Sequence, residues 1–122
     1  MADIKKILCA VDFSEYSPMV ADYAATLAKK MGAGITVVYV APGYGQYMGF
    51  EAAPASIENF MGEIMAGAEK TMDVFLAENF AGIKAEGKVT AGYADEEVLR
   101  VANKEDMDMI VMGTHGRKGI DR

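Results

Sequence analysis

The chain has 122 residues, of which 52% are hydrophobic and 25% charged, a composition that fits one globular domain and argues against intrinsic disorder. Its net charge of −6 argues against nucleic-acid binding, which needs clustered Lys and Arg, but leaves room for a mononucleotide held by backbone N–H groups. A single cysteine, the lack of a secretory signal and the lack of an apolar run of about 18 residues lead us to expect a cytoplasmic protein that does not enter a membrane.

The first third of the chain predicts two strands with a helix between them. Residues 7–11 are a continuous apolar run, as in a strand buried on both faces of a parallel sheet, and residues 35–40 are a second run rich in β-branched side chains. Ser17 before Pro18 predicts an N-cap followed by the first helical position. The inward stripe of this helix is predicted at Val20, Ala24, Leu27, Ala28 and Met31, with Gly32 or Gly34 at its end.

The rest of the chain predicts two more strands, each preceded by a helix. A long loop over residues 42–55 leads into the longest helical pattern, residues 56–79, and the loop's aromatic cluster could cover a ligand, a neighbouring subunit or the loop itself. A weaker strand pattern spans residues 83–90, a short helix 95–104, and a fourth strand 109–112. The order βαβαβαβ predicts a doubly wound α/β fold with an open parallel sheet. The inward face of the long helix is predicted at Phe60, Ile64, Ala68, Met72, Phe75 and Leu76.

Ligands of such sheets bind outside the carboxyl ends of the strands, where the strand order reverses. Asp12 follows the first strand, and a series of glycines at every third residue, from Gly113 through Gly116 to Gly119, follows the fourth. Glycines in this pattern would let backbone N–H groups approach phosphate oxygens, and Arg117 would add positive charge. A plain surface turn explains the same glycines, and a turn or helix cap explains the aspartate.

Several other activities lack the residues they need. His115 is the only histidine and has no identifiable nucleophile or orienting partner, so a loop position without a catalytic part explains it. Cys9 lies inside a strand pattern and is predicted to be a buried small hydrophobe, and one His with one Cys cannot complete a zinc site. The loop after the first strand has no glycine, which disfavours both dinucleotide binding and an ATP-cleaving transferase.

Residues 11–15, 38–40 and above all 108–117 resemble the universal stress protein family in order and spacing, over essentially the whole chain. The resemblance implies a three-layer α/β/α fold of the adenine nucleotide alpha-hydrolase-like type, with one domain over residues 1–122. Members that bind ATP carry Gly-x-x-Gly, nine residues, then Gly-Ser or Gly-Thr. Gly113 and Gly116 match the first half, and the second half would begin near position 126. We therefore expect the last strand and helix to be missing, together with part of the triphosphate site.

The resemblance also implies roles for individual residues. Asp12 would accept hydrogen bonds from ribose hydroxyls, Val40 would meet the adenine edge through its backbone, and Gly113 would let the ligand approach the chain. A buried strand end explains Val40 equally well. The full set expected at the site is Ala10, Val11, Asp12, Ser14, Val40, Met112, Gly113, His115, Gly116, Arg117 and Gly119.

The function implied by the resemblance is that of a stress-response or regulatory protein that binds ATP or a related adenine nucleotide. Mg²⁺ would be carried by the phosphates rather than by protein ligands, and hydrolysis would be slow at most. The full-length form is expected to be a homodimer. The alternative is a nucleotide-independent dimeric interaction module of the same fold.

Overall fold

The computed structural model describes residues 3–43 and 54–113. Within them the chain forms four strands and three helices in strict alternation, which confirms the predicted order βαβαβαβ. Each predicted element is present, with ends that move by no more than two residues. The elements are β1 (Lys6–Val11), α1 (Ser17–Met31), β2 (Gly34–Ala41), α2 (Pro54–Asn79), β3 (Ala85–Ala91), α3 (Ala94–Lys104) and β4 (Met109–Met112).

The four strands form one parallel sheet in the order β3-β2-β1-β4. The chain steps outward from β1 to β2 and β3, and α3 then carries it back to the opposite side of β1. The strand order therefore reverses between β1 and β4, as in a doubly wound fold. The predicted fold class is confirmed, and the reversal identifies the edge of the sheet at which a ligand site is expected.

Helices cover both faces of the sheet and make three layers. Successive side chains of a strand point to opposite faces. Ile7 and Cys9 of β1 pack into a buried cluster with α1 and α2, while Leu8 packs into a second cluster with Val98 and Val101 of α3. Burial on both faces is the physical reason that β1 is a continuous apolar run rather than an alternating one.

Helix α1 differs from its predicted pattern at both its start and its inward face. Its N-cap is Tyr16, which makes no side-chain capping hydrogen bond, so the predicted cap at Ser17 is wrong. The buried stripe consists of Ser17 and four alanines, while Val20 and Leu27 are half-buried and Met31 is exposed. Small side chains allow a helix to lie close to the sheet, and the larger residues then fall on its flanks. The four alanines are Ala21, Ala24, Ala25 and Ala28.

Helix α2 is longer than the strand it follows. Its 26 residues span about 39 Å at 1.5 Å per residue, whereas the 8 residues of β2 span about 26 Å. The carboxyl-terminal half is buried at Ala68, Met72 and Phe75, as predicted, and Met72 and Phe75 belong to the core cluster that includes the sheet. Phe60, also predicted inward, is 48% exposed because a helix of this length extends past the sheet.

Among the residues that the structure describes, no helix is both long enough and apolar enough to cross a bilayer.

Candidate functional site

The point at which the strand order reverses brings the predicted site segments to one edge of the sheet. Ala10 of β1 is the register partner of Met112 of β4, so Val11 and Gly113 each lie one residue beyond that pair. Neighbouring strands are about 5 Å apart. Asp12 and Gly113 therefore follow adjacent strands at the same edge. His115, Gly116, Arg117 and Gly119, which were also predicted for the site, lie outside the described residues.

The strand β2 completes this edge on the other side of β1. The ladder between β1 and β2 ends at the pair Val11 and Tyr39, one residue before Val40. Val40 remains paired with Thr90 of β3. The predicted residues that the structure describes thus occupy the carboxyl ends of three neighbouring strands, β2, β1 and β4.

An apolar surface lies at this edge on the face that carries α3. Ala10 and Val40 pack against the α3 cluster and are half-buried, whereas Met112 is 55% exposed and Ile110 is 37% exposed. Helix α3 packs on β2 and β3, which leaves the β4 side of this face open within residues 3–43 and 54–113. Small-molecule sites in proteins commonly combine apolar side chains with a few placed polar groups.

Asp12 is held in a fixed turn directly after β1. Its Oδ1 accepts a hydrogen bond from the backbone N–H of Ser14 at 2.9 Å and a second from the hydroxyl of Ser17 at 3.1 Å. The Oγ of Ser14 accepts a hydrogen bond from the N–H of Tyr16 at 3.3 Å, which continues the turn into α1. The two hydrogen bonds with described distances at the Asp12 carboxylate both use Oδ1.

The same contacts set the charge of Asp12. Partial burial raises the pKa of this carboxyl, but hydrogen bonds from Ser14 and Ser17 to the carboxylate outweigh it and leave the pKa below its ordinary value of 3.8. Asp12 is therefore ionised at neutral pH. A carboxylate in this state accepts hydrogen bonds and donates none.

Phe13 lies between Asp12 and Ser14 in the left-handed region, with φ of 61°. This conformation costs a residue with a Cβ about 1–2 kcal/mol. The ring of Phe13 stacks on Tyr39 with centroids 4.6 Å apart and meets Phe75 edge-on at 5.6 Å. Aromatic pairs of this kind contribute about 0.5–1.5 kcal/mol each, enough to offset the backbone strain. The core thus holds the turn that presents Asp12.

The roles of Phe13 and Ser17 at this turn were not predicted from the sequence. For Phe13, a signal was present: an aromatic residue lies between two turn-forming residues at a strand end, which indicates that its ring anchors the turn. Ser17 carries no such signal, because a serine before a proline at a helix start predicts a cap whatever its hydroxyl contacts.

Gly113 has a packing role that its sequence pattern did not predict. Its φ lies outside the left-handed region, so its backbone does not require glycine. A Cβ at this position would lie 2.8 Å from Cγ2 of Val20 in α1, well inside an ordinary contact. Glycine here allows α1 to lie against the end of β4.

Cys9 is the remaining sequence candidate that the structure describes. Cys9 is fully buried, and burial raises the pKa of its thiol to about 12, so it is a packed, unreactive side chain, as predicted. Within the described ranges, no group of three or more His, Cys, Asp or Glu residues could hold a metal ion. The described edge brings together a carboxylate, apolar side chains and strand-end backbone.

Comparison with known proteins places this geometry in a family. A sequence model described as the Universal stress protein family matches residues 3–122. The chain belongs to the universal stress protein family. Universal stress protein A homolog 1 of Coxiella burnetii is 31% identical over 119 residues, which are 97% of this chain and 81% of that protein.

Solved structures of universal stress proteins and their relatives share the fold. The structure of protein MJ0577, from Methanocaldococcus jannaschii, matches with a TM-score of 0.78 at 21% identity, over 98% of this chain and 81% of its own. A universal stress protein in complex with cAMP matches with a TM-score of 0.56 at 13% identity, over 90% of this chain and 76% of its own. At these identities the likeness concerns the fold.

Proposed function

We propose that this universal stress protein binds ATP or a related adenine nucleotide at the carboxyl edge of β2, β1 and β4, in a stress-response or regulatory role. The observation that carries the proposal is the Asp12 carboxylate beside the reversal of strand order. Its Oδ1 accepts hydrogen bonds from Ser14 and Ser17, and neither of these bonds uses Oδ2. Such a group suits the hydroxyls of a ribose. The cAMP complex of a family member supports an adenine nucleotide as the ligand class.

The neighbouring residues suit the other parts of a nucleoside. Met112, Ala10 and Val40 would offer an apolar surface to the adenine ring. The ladder between β1 and β2 ends before Val40, which supports contact between this strand end and the edge of the base. Burying an adenine-sized apolar surface contributes about 25 cal/mol per Å².

The phosphates are proposed to lie beyond β4. Gly113 begins the Gly-x-x-Gly pattern, and the backbone N–H groups of this segment together with Arg117 would bind phosphate oxygens. Bound Mg²⁺ would supply positive charge between those oxygens, and the described residues contribute no ligand cluster of their own. Any hydrolysis of the bound nucleotide is proposed to be slow.

Isothermal titration with ATP tests the proposal through Asp12→Asn. The asparagine Oδ1 can still accept the hydrogen bonds from Ser14 and Ser17, so the turn should be retained. The NH₂ group that replaces Oδ2 has no charge and cannot accept a hydrogen bond from a ribose hydroxyl. Losing a hydrogen bond to a charged group costs about 1.5–3 kcal/mol. We expect ATP affinity to fall by about 10–100-fold. Asp22→Asn, the same change on the exposed face of α1, is the matched control and should leave affinity unchanged.

Two results would count against nucleotide binding at the site of Asp12. The first is a folded protein that shows neither heat nor thermal stabilisation with millimolar ATP, since a ligand of the native state must stabilise it. The second is equal affinity in the Asp12 and Asp22 variants. The homodimer and the cytoplasmic location implied by the family resemblance remain part of the proposal. Analytical ultracentrifugation with and without ATP measures the first of them.

A further inference from the structure

We infer that Ser17 is a positioning residue of the nucleotide site: its buried hydroxyl holds Oδ1 of Asp12 and so leaves Oδ2 for the ribose of the ligand. The inference rests on the proposed function, because it explains how the carboxylate assigned to the ribose is kept in place. It extends that function by making ribose recognition depend on the first turn of α1. Ser17 was not among the residues predicted for the site.

The hydroxyl of Ser17 does not cap α1. A serine at a helix start usually accepts a hydrogen bond from a backbone N–H of the first turn. Here the N-cap is Tyr16, without a side-chain capping bond, and the Ser17 hydroxyl instead donates to Asp12 Oδ1 at 3.1 Å. Ser17 is only 2% exposed. A buried hydroxyl needs a partner, and the partner described for this one is the carboxylate.

The hydrogen bonds described from Ser14 and Ser17 both act on one oxygen of Asp12. The N–H of Ser14 and the hydroxyl of Ser17 reach Oδ1 from the turn and from the helix. Phe13 fixes the backbone between them, and its ring is held by Tyr39 and Phe75. Two donors on one oxygen restrict both side-chain torsions of an otherwise exposed aspartate. A ligand then does not have to immobilise the carboxylate, which lowers the cost of binding.

A purely structural role for the hydroxyl makes a different prediction. If the hydrogen bond only ties the start of α1 to the end of β1, removing it weakens the fold and affects every ligand of the site equally. If it positions Asp12 for the ribose, the loss depends on whether the ligand has ribose hydroxyls. ATP and 2′,3′-dideoxy-ATP differ only in those hydroxyls, so the pair separates the two roles.

The experiment measures the affinity of both ligands for the wild-type protein and for Ser17→Ala. We expect the variant to bind ATP about 5–10-fold more weakly, the size of one hydrogen bond. Affinity for 2′,3′-dideoxy-ATP should change by less than about twofold, since that ligand makes no bond to Asp12. Thr26→Ala is the matched control, because its hydroxyl bonds to the carbonyl of Asp22 on the same helix, away from the site. Ser17→Cys is a second variant, in which a thiol fills the space of the hydroxyl but is only a weak hydrogen-bond donor. This variant should also lose more affinity for ATP than for 2′,3′-dideoxy-ATP.

A titration of the Asp12 carboxyl by NMR gives an independent readout without nucleotide. Ser17→Ala should raise the pKa of Asp12, because one of the hydrogen bonds that lowers it is removed. No charged side chain of the described residues contributes to this shift, so the hydrogen bonds from Ser14 and from the backbone of Asp12 itself would remain in the variant. Thr26→Ala should leave this pKa where it is.

The outcomes separate this inference from the function on which it rests. If the wild-type protein binds neither ligand, the proposed function and the inference both fail. If it prefers ATP and both Ser17 variants keep the same preference, the inference alone is wrong. Equal losses for both ligands, or an unchanged pKa of Asp12 in Ser17→Ala, would also overturn it.

Discussion

Replacement of Gly113 by alanine tests the finding that this glycine lets α1 lie against β4. The new Cβ would lie 2.8 Å from Cγ2 of Val20, whereas carbon atoms normally approach to about 3.5–4.0 Å. Val20 is β-branched and helical, so it has one strongly preferred rotamer and cannot turn away easily. The helix or the strand end must shift instead.

The expected cost follows from these contacts. Overpacking costs about 1–3 kcal/mol, and the low end applies because Gly113 is exposed and Val20 only half-buried. Replacing glycine by alanine also restricts the unfolded chain, which returns about 0.4–1 kcal/mol. We expect Gly113→Ala to lower the free energy of unfolding by about 1 kcal/mol, or roughly 4 °C in Tm.

Urea unfolding followed by circular dichroism measures this effect in a double-mutant cycle. In the Val20→Ala background the clash is absent, so Gly113→Ala should become neutral or slightly stabilising, with a coupling of about 1–2 kcal/mol. Gly67→Ala is the control, since a Cβ there meets nothing within 4 Å and should stabilise α2 by about 0.5–1 kcal/mol. An equal loss from Gly113→Ala in both backgrounds would refute the packing argument.

Three further predictions concern stability. Gly87→Ala should lower the free energy of unfolding by about 1–3 kcal/mol, because the new Cβ would overlap Cγ of Met72. In a Met72→Ala background this loss should disappear, which urea unfolding can measure. Burial raises the pKa of Cys9 from 9.0 to about 12, so the thiol of the unfolded state loses its proton at a lower pH than the thiol of the folded state. The free energy of unfolding should therefore fall as pH rises from 9 towards 12, and Cys9→Ala should reduce that fall. Hydrogen bonds from the backbone N–H groups of Lys5 and Lys6 lower the pKa of Asp108 below 3.8. The contribution of Asp108 to the free energy of unfolding is therefore present above that pH and lost as the pH falls below it, so Asp108→Ala should make stability depend less on pH in acid.

The strands and their order could be predicted because their physical cause is local. Residues 7–11 and 35–40 are apolar runs that a sheet covered on both faces requires, and helical patterns between strands imply parallel pairing. The length of a helix or strand can likewise be predicted from its own residues, whereas the residues that it buries depend on the elements packed against it. Phe60 has the helical spacing of an inward residue, yet it is exposed because α2 is longer than the strand it follows.

The candidate site was predicted only in part, because its residues are brought together by tertiary contacts. The positions of Asp12 and Gly113 after the first and fourth strands pointed to one edge, and the register between β1 and β4 agrees with that expectation. The partner of Ser17 could not be predicted, since a cap and a bond to Asp12 have the same sequence pattern. The contact of Gly113 with Val20 depends on how α1 packs across the sheet, which no spacing encodes.

Backbone amide chemical shifts recorded during an ATP titration test most directly whether the reversal point of the sheet holds a nucleoside. The largest saturable changes should fall on residues 10–14, 40 and 112–113, and Asp12→Asn should diminish them without altering the spectrum elsewhere. Changes confined to the outer surfaces of α2 or α3, or no change at millimolar ATP in a folded protein, would contradict the account.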